Sequence, residues 1–172
     1  MHTVEETIEV AVPVRTAYDA WTQFKSFPRF MAGVRRVDQI RPTVTRWVVG
    51  VGPVRREVGI EIVEQVPDSH LVWRSLERRP SHRGEVSFRS TMTGTTEITV
   101  RVRTEAHGAT GVLAAVPGVT RRVVRSGLQH FKTYIEGMGD ASGAWRGTIR
   151  NGHVQPMEPK PSRSQVPCWP VG

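Results

Sequence analysis

The sequence predicts one α+β domain in which a curved antiparallel sheet of about seven strands wraps a long C-terminal helix. Three observations carry that expectation. Segments of alternating apolar and polar residues recur between turn residues, the signature of strands with one wet face. Helical periodicity is confined to two places, directly after the first strand and near residue 137. Strands in series with helices segregated at the ends indicate an α+β class rather than alternating βαβ units.

The elements follow in order. Val4, Glu6, Ile8, Val10 and Val12 share one face of a first strand, with Glu5, Thr7 and Glu9 opposite, and Pro13 ends it. Val14, Ala17, Tyr18, Trp21 and Phe24 then recur at helical spacing. A second short turn, Phe27-Pro28-Arg29-Phe30-Met31, is apolar enough to pack down as a lid or plug. Six strands are expected over residues 34–40, 43–51, 54–66, 70–77, 84–91 and 95–106, punctuated by Gly52-Pro53, Pro67-Asp68 and Thr93-Gly94. Trp47 and Val49 fall on one face, as do Val58, Ile60 and Ile62, then Leu71, Trp73 and Ser75, then Val86, Phe88 and Ser90, then Ile98, Val100 and Val102. The last element is a helix from about 110 to 137, with a kink or fresh start at Pro117-Gly118. Val119, Val123, Val124, Gly127, Leu128, Phe131, Tyr134 and Ile135 cover half of it, and arginines, Lys132 and Glu136 cover the rest. A strongly curved sheet of seven strands is too wide for one helix to fill, so an apolar cavity is expected between them.

The 172 residues therefore divide into a folded unit, 1–137, and a Pro/Gly-rich tail, 138–172, expected to be mobile or loosely docked; Trp145 and Trp169 are candidate anchors within it, though more often such residues are unremarkable parts of a flexible tail. Composition bounds the function further. The single cysteine, Cys168, precludes an internal disulfide, and the six histidines have no ligand spacing, so neither metal nor cofactor is expected. No segment approaches the roughly 18 apolar residues of a membrane helix, and no signal peptide is visible, so a cytoplasmic location is expected. The net charge of +8 comes from 21 Arg against 3 Lys. The arginine pairs would split across strand faces, and no stacking aromatics or recognition helix accompany them, so nucleic acid is not an expected partner.

Four stretches together carry a resemblance: VEETIEVAVPVRTAYDAWTQFKSFPRFM, EIVEQVPDSHLVWRS, the pair GEVSFRS and TTEITVRVRTEAHG, and HFKTYIEG. Over residues 3–137 the chain resembles the START-like, helix-grip superfamily (SRPBCC), and within it the polyketide cyclase/dehydrase group of bacterial proteins. The resemblance implies an incomplete barrel around a deep cavity for polyketides, lipids, sterols or quinone-like molecules. Some members cyclise or dehydrate polyketides, and others carry or sense ligands. The expected ligand contacts are Trp47, Ile60, Trp73, Ser75, Phe88, Ser90, Ile98 and Phe131. Val58, Ile60 and Ile62 face inward where a catalytic cavity would place polar donors, which favours a binder or carrier of a small hydrophobic molecule. The alternative is an aromatase/cyclase acting on a polyketide tethered to an acyl carrier protein, with His130 and Tyr134 as proton-transfer candidates.

Overall fold

The computed structural model of the protein describes residues 2–78, 81–105, 117–138 and 144–156. The order is β1 (His2–Val10), α1 (Val14–Thr22), a 3-10 segment (Phe24–Arg29), β2 (Val34–Arg41), β3 (Val44–Val51), β4 (Val54–Val66), β5 (His70–Ser75), β6 (Ser81–Ser90), β7 (Thr96–Glu105), α2 (Pro117–Met138), β8 (Ile149–Arg150) and β9 (His153–Val154). The main sheet runs β1-β7-β6-β5-β4-β3-β2, with each neighbouring pair antiparallel. β2 to β7 form a meander, and β1 returns to pair with β7. This is the α+β arrangement expected from the alternation pattern, in the helix-grip form that the resemblance implies.

One face of the sheet is dry. Val4 and Val10 of β1, Val86 and Phe88 of β6, and Ile98 and Val100 of β7 are buried, whereas Glu5, Glu9, Arg89 and Arg101 face water. The wet face is held by cross-strand pairs such as Glu5 with Arg101 at 2.6 Å and Arg89 with Glu97 at 2.9 Å. β4 carries a register shift between Ile62 and Glu64. The extra residue moves the inward positions from Ile62 to Gln65, which is 2% exposed.

α2 packs on β1 and is pinned there at both ends. Arg121 and Arg125 reach Glu6 at 3.4 and 3.2 Å. Further along, Lys132 donates to the Glu9 carbonyl at 2.7 Å, and Glu136 accepts the Ala11 amide at 2.8 Å. Glu6 is thus the one acid on the dry face of β1, and it is satisfied by the helix. α2 begins at Pro117, where a fresh start was expected; the remainder of the predicted helix, 110–116, lies outside the described residues. Among the described residues no helix is long and apolar enough to cross a membrane.

Part of the segment expected to form the tail, 144–156, lies among the described residues. Residues 144–156 fold back onto the domain. Ile149 is fully buried and pairs with Gln65 at the β4 bulge, and the Gly152 amide donates to the Val63 carbonyl at 2.8 Å. Arg146 joins α1 to the β4–β5 turn by donating to Asp19 and, at 2.7 Å, to Asp68. Trp145 remains 45% exposed, and Trp169 and Cys168 lie outside the described residues.

Candidate functional site

The concave face and α2 enclose a cavity of about 350 Å³. Its roof is aromatic. Phe24, Phe27 and Phe30 project from the 3-10 segment and the residue after it, and all three are buried. They lock into an edge-to-face cluster: Phe27 stands 4.9 Å from Trp47 and 5.5 Å from Trp21, ring centre to ring centre. The expected plug is therefore built, and it covers the space between α1 and β3. Met31, Gly127 and Val124 form the seam where this plug meets α2. The floor is Val58, Ile60 and Ile62 of β4, with Trp73 of β5 and Val100 and Val102 of β7 beside them.

Two glycines set the shape. Gly84 faces Trp73 directly across β5 and β6. A methyl group on Gly84 would fall 2.0 Å from Cζ2 of that indole, so the ring lies flat against bare backbone. On α2, a methyl at Gly127 would meet the Met31 terminal carbon at 3.3 Å. Each glycine lends room to a bulky neighbour that lines the cavity.

Of the residues lining the cavity, only Thr45 and His82 carry a hydroxyl or a titratable group. The Thr45 hydroxyl is engaged, accepting the Trp47 indole N–H at 2.8 Å. His82 differs. Its backbone amide donates to the Ser75 hydroxyl at 2.9 Å, but its imidazole has no hydrogen-bond partner among the described residues. Burial lowers its pKa from 6.5, the positive charge of Arg56 lowers it further, and Glu77 acts in the opposite direction. The ring is therefore neutral at pH 7, with one donor and one acceptor nitrogen.

The residues singled out from the sequence fall into three groups. Trp47, Ile60 and Trp73 line the cavity. Phe88, Ile98 and Phe131 face the same interior but pack into solid core: Phe131 stands 5.0 Å from the Trp21 ring and Phe88 5.6 Å from that of Tyr18. The others are elsewhere. Ser75 accepts the His82 amide and donates to the Glu77 carbonyl at 3.2 Å, which ties the β5–β6 connection. Ser90 is exposed at the end of β6, and His130 is exposed on α2. Tyr134 packs its ring 5.2 Å from Phe30 and does not line the cavity. His130 and Tyr134 therefore do not form a polar pair within the cavity. His82 went unnoticed because β6 was expected to start at residue 84. Begun at Ser81, the alternation His82, Gly84, Val86, Phe88 points the histidine inward.

A family model described as polyketide cyclase / dehydrase and lipid transport matches residues 10–133. An uncharacterized 17.2 kDa protein of Streptomyces lincolnensis, from the melC2-rnhH intergenic region, is 38% identical over 149 residues, covering 87% of this chain and 99% of its own. Among solved structures, the Zhui aromatase/cyclase of Streptomyces sp. R1128 is similar with a TM-score of 0.66 at 18% identity, covering 84% of this chain and 99% of that one. A START superfamily protein from Mycobacterium smegmatis is similar with a TM-score of 0.62 at 16% identity, covering 80% and 96%. At these identities the structural likeness is one of fold.

Proposed function

The chain belongs to the polyketide cyclase/dehydrase and lipid-transport family, and on that footing we propose that it binds one small hydrophobic molecule in the cavity, as a carrier or accessory protein. The observation that carries the reading is the lining: among the described residues, Thr45 and His82 are its only side chains with a hydroxyl or a titratable group, and the Thr45 hydroxyl is engaged. The cavity volume lies within the roughly 300–1,000 Å³ of small-molecule sites, which are mostly apolar with a few placed polar groups. A polyketide, lipid or quinone-like molecule suits those walls, with Trp47, Ile60 and Trp73 as contacts and the aromatic roof closing over it. Native mass spectrometry of the purified protein should show a co-purifying small molecule. After extraction, the neutral dye N-phenyl-1-naphthylamine should bind at one saturable site per chain. Absence of both a bound mass and a saturable dye site would end this reading.

One observation favours a second reading, an aromatase/cyclase acting on a carrier-protein-bound polyketide in the same cavity. A neutral imidazole without a hydrogen-bond partner among the described residues is suited to accept a proton from carbon next to a ketone. That role would fall to His82, not to His130 or Tyr134. If the reading holds, the product pattern of a polyketide synthase reaction changes when the protein is added and reverts with His82→Ala. An unchanged pattern leaves the carrier.

A further inference from the structure

We propose that the ligand is amphipathic and carries a single carboxylate head, held at one end of the cavity by Arg56 and His82. The proposal rests on the binding reading above and names the ligand class.

Strand geometry places the two residues. Arg56 lies on the same face of β4 as Val58, Ile60 and Ile62, one step further toward the β3–β4 hairpin. It pairs across the sheet with Val49, and both Val49 and Val58 line the cavity. Arg56 therefore stands at the rim where the apolar wall ends. His82 approaches from β6: through Ser75 it stands level with Ile60, two strands from β4 and at the same end of the cavity as Arg56, whose positive charge bears on its ring. Arg56 is exposed and, among the described residues, has no ion pair or hydrogen bond. Most arginines on this surface do have one: Arg36 with Asp38, Arg74 with Glu61, Arg89 with Glu97, Arg101 with Glu5.

The cavity is thus apolar along its length and polar at one end. A guanidinium offers paired N–H donors whose geometry matches a carboxylate, and a neutral imidazole adds one more donor. A hydrocarbon ligand would bury His82 against carbon and leave Arg56 unused. The charge nearby sets a limit. Glu77 also acts on His82, and it is anchored through Oε1 to the Gly59 amide at 2.8 Å while its buried Oε2 has no partner among the described residues. One fixed negative charge beside the site disfavours a doubly charged head such as a phosphate monoester and leaves room for one carboxylate.

Isothermal titration with three probes tests this. 2-Naphthaleneacetate and 2-naphthaleneethanol share a ring and differ in the head; N-phenyl-1-naphthylamine has no acidic group and reports whether the cavity is accessible. The acid should bind the wild-type protein at least about tenfold more tightly than the alcohol. Arg56→Gln should erase that difference, Arg56→Lys should retain part of it, and the dye should still bind both variants saturably. Equal affinity for acid and alcohol, or a preference that survives Arg56→Gln, overturns the carboxylate assignment while dye binding leaves the cavity reading standing. Failure of the dye on the wild-type protein overturns both.

Discussion

At the scale of single residues, the cavity depends on what is missing from Gly84. The Trp73 indole occupies the place where any other residue at 84 would put its Cβ, and β6 can supply that place only with glycine. Gly84→Ala forces the ring to rotate away from the sheet, and the side open to it is the cavity. The expected outcome is a stability loss of about 1–3 kcal/mol, the usual cost of overpacking, together with weaker binding of N-phenyl-1-naphthylamine. Urea denaturation and dye titration on the same variant check both parts. Unaltered dye affinity would mean that the indole does not set the cavity's shape. Gly127 works in the same way but more loosely, because the Met31 side chain it meets is flexible.

At the scale of elements, the segment 144–156 behaves as a strap. Arg146 bridges Asp19 and Asp68, two carboxylates 9% and 38% exposed, and its guanidinium lies 5.4 Å from the centre of the Tyr18 ring. Arg146→Ala would leave the Asp19 carboxylate buried, with only exposed Arg15 at 3.9 Å to offset it. A loss of about 2–4 kcal/mol is expected, since removing one partner exposes the desolvation cost of the other. Chemical denaturation checks it, and a loss below about 0.5 kcal/mol would reduce the strap to a surface contact. The strap was illegible in the sequence for a physical reason: its strands are two residues long, and Ile149 is an isolated apolar residue among Arg, Thr, Asn and Gly. The main strands were legible because each keeps one wet face, so β1 and β7 announce themselves by strict alternation. The site was legible only in part. Alternation identified the inward faces of β3, β4 and β5 and so found Trp47, Ile60 and Trp73. It fixes which face a side chain occupies but not how far along the strand the aromatic plug and α2 reach. Phe88, Ile98 and Phe131 accordingly met solid core, and Ser90 met water.

At the scale of the whole molecule, the aromatic roof, the sheet and α2 hold open a concavity that lining side chains alone do not fill. Lining groups that lack neighbours on one side forgo part of their dispersion energy. The fold offsets this with the ion pairs that pin α2 to β1 and with the strap across α1, both of which lie outside the cavity. Binding and stability should consequently be linked. At a concentration 100 times its Kd, a cavity ligand adds about 2.7 kcal/mol, which for a chain of this size raises Tm by roughly 5–10 °C. Ile60→Trp separates the two effects. Ile60 lies on the floor, and a larger ring there supplies the missing contacts from within. That variant should melt at or above the wild-type temperature without ligand and show little further rise with N-phenyl-1-naphthylamine, as read by thermal denaturation with and without dye. If it keeps the full ligand-induced rise, the stabilising site lies somewhere other than the concave face, because no ligand could share that floor with an indole and lose nothing.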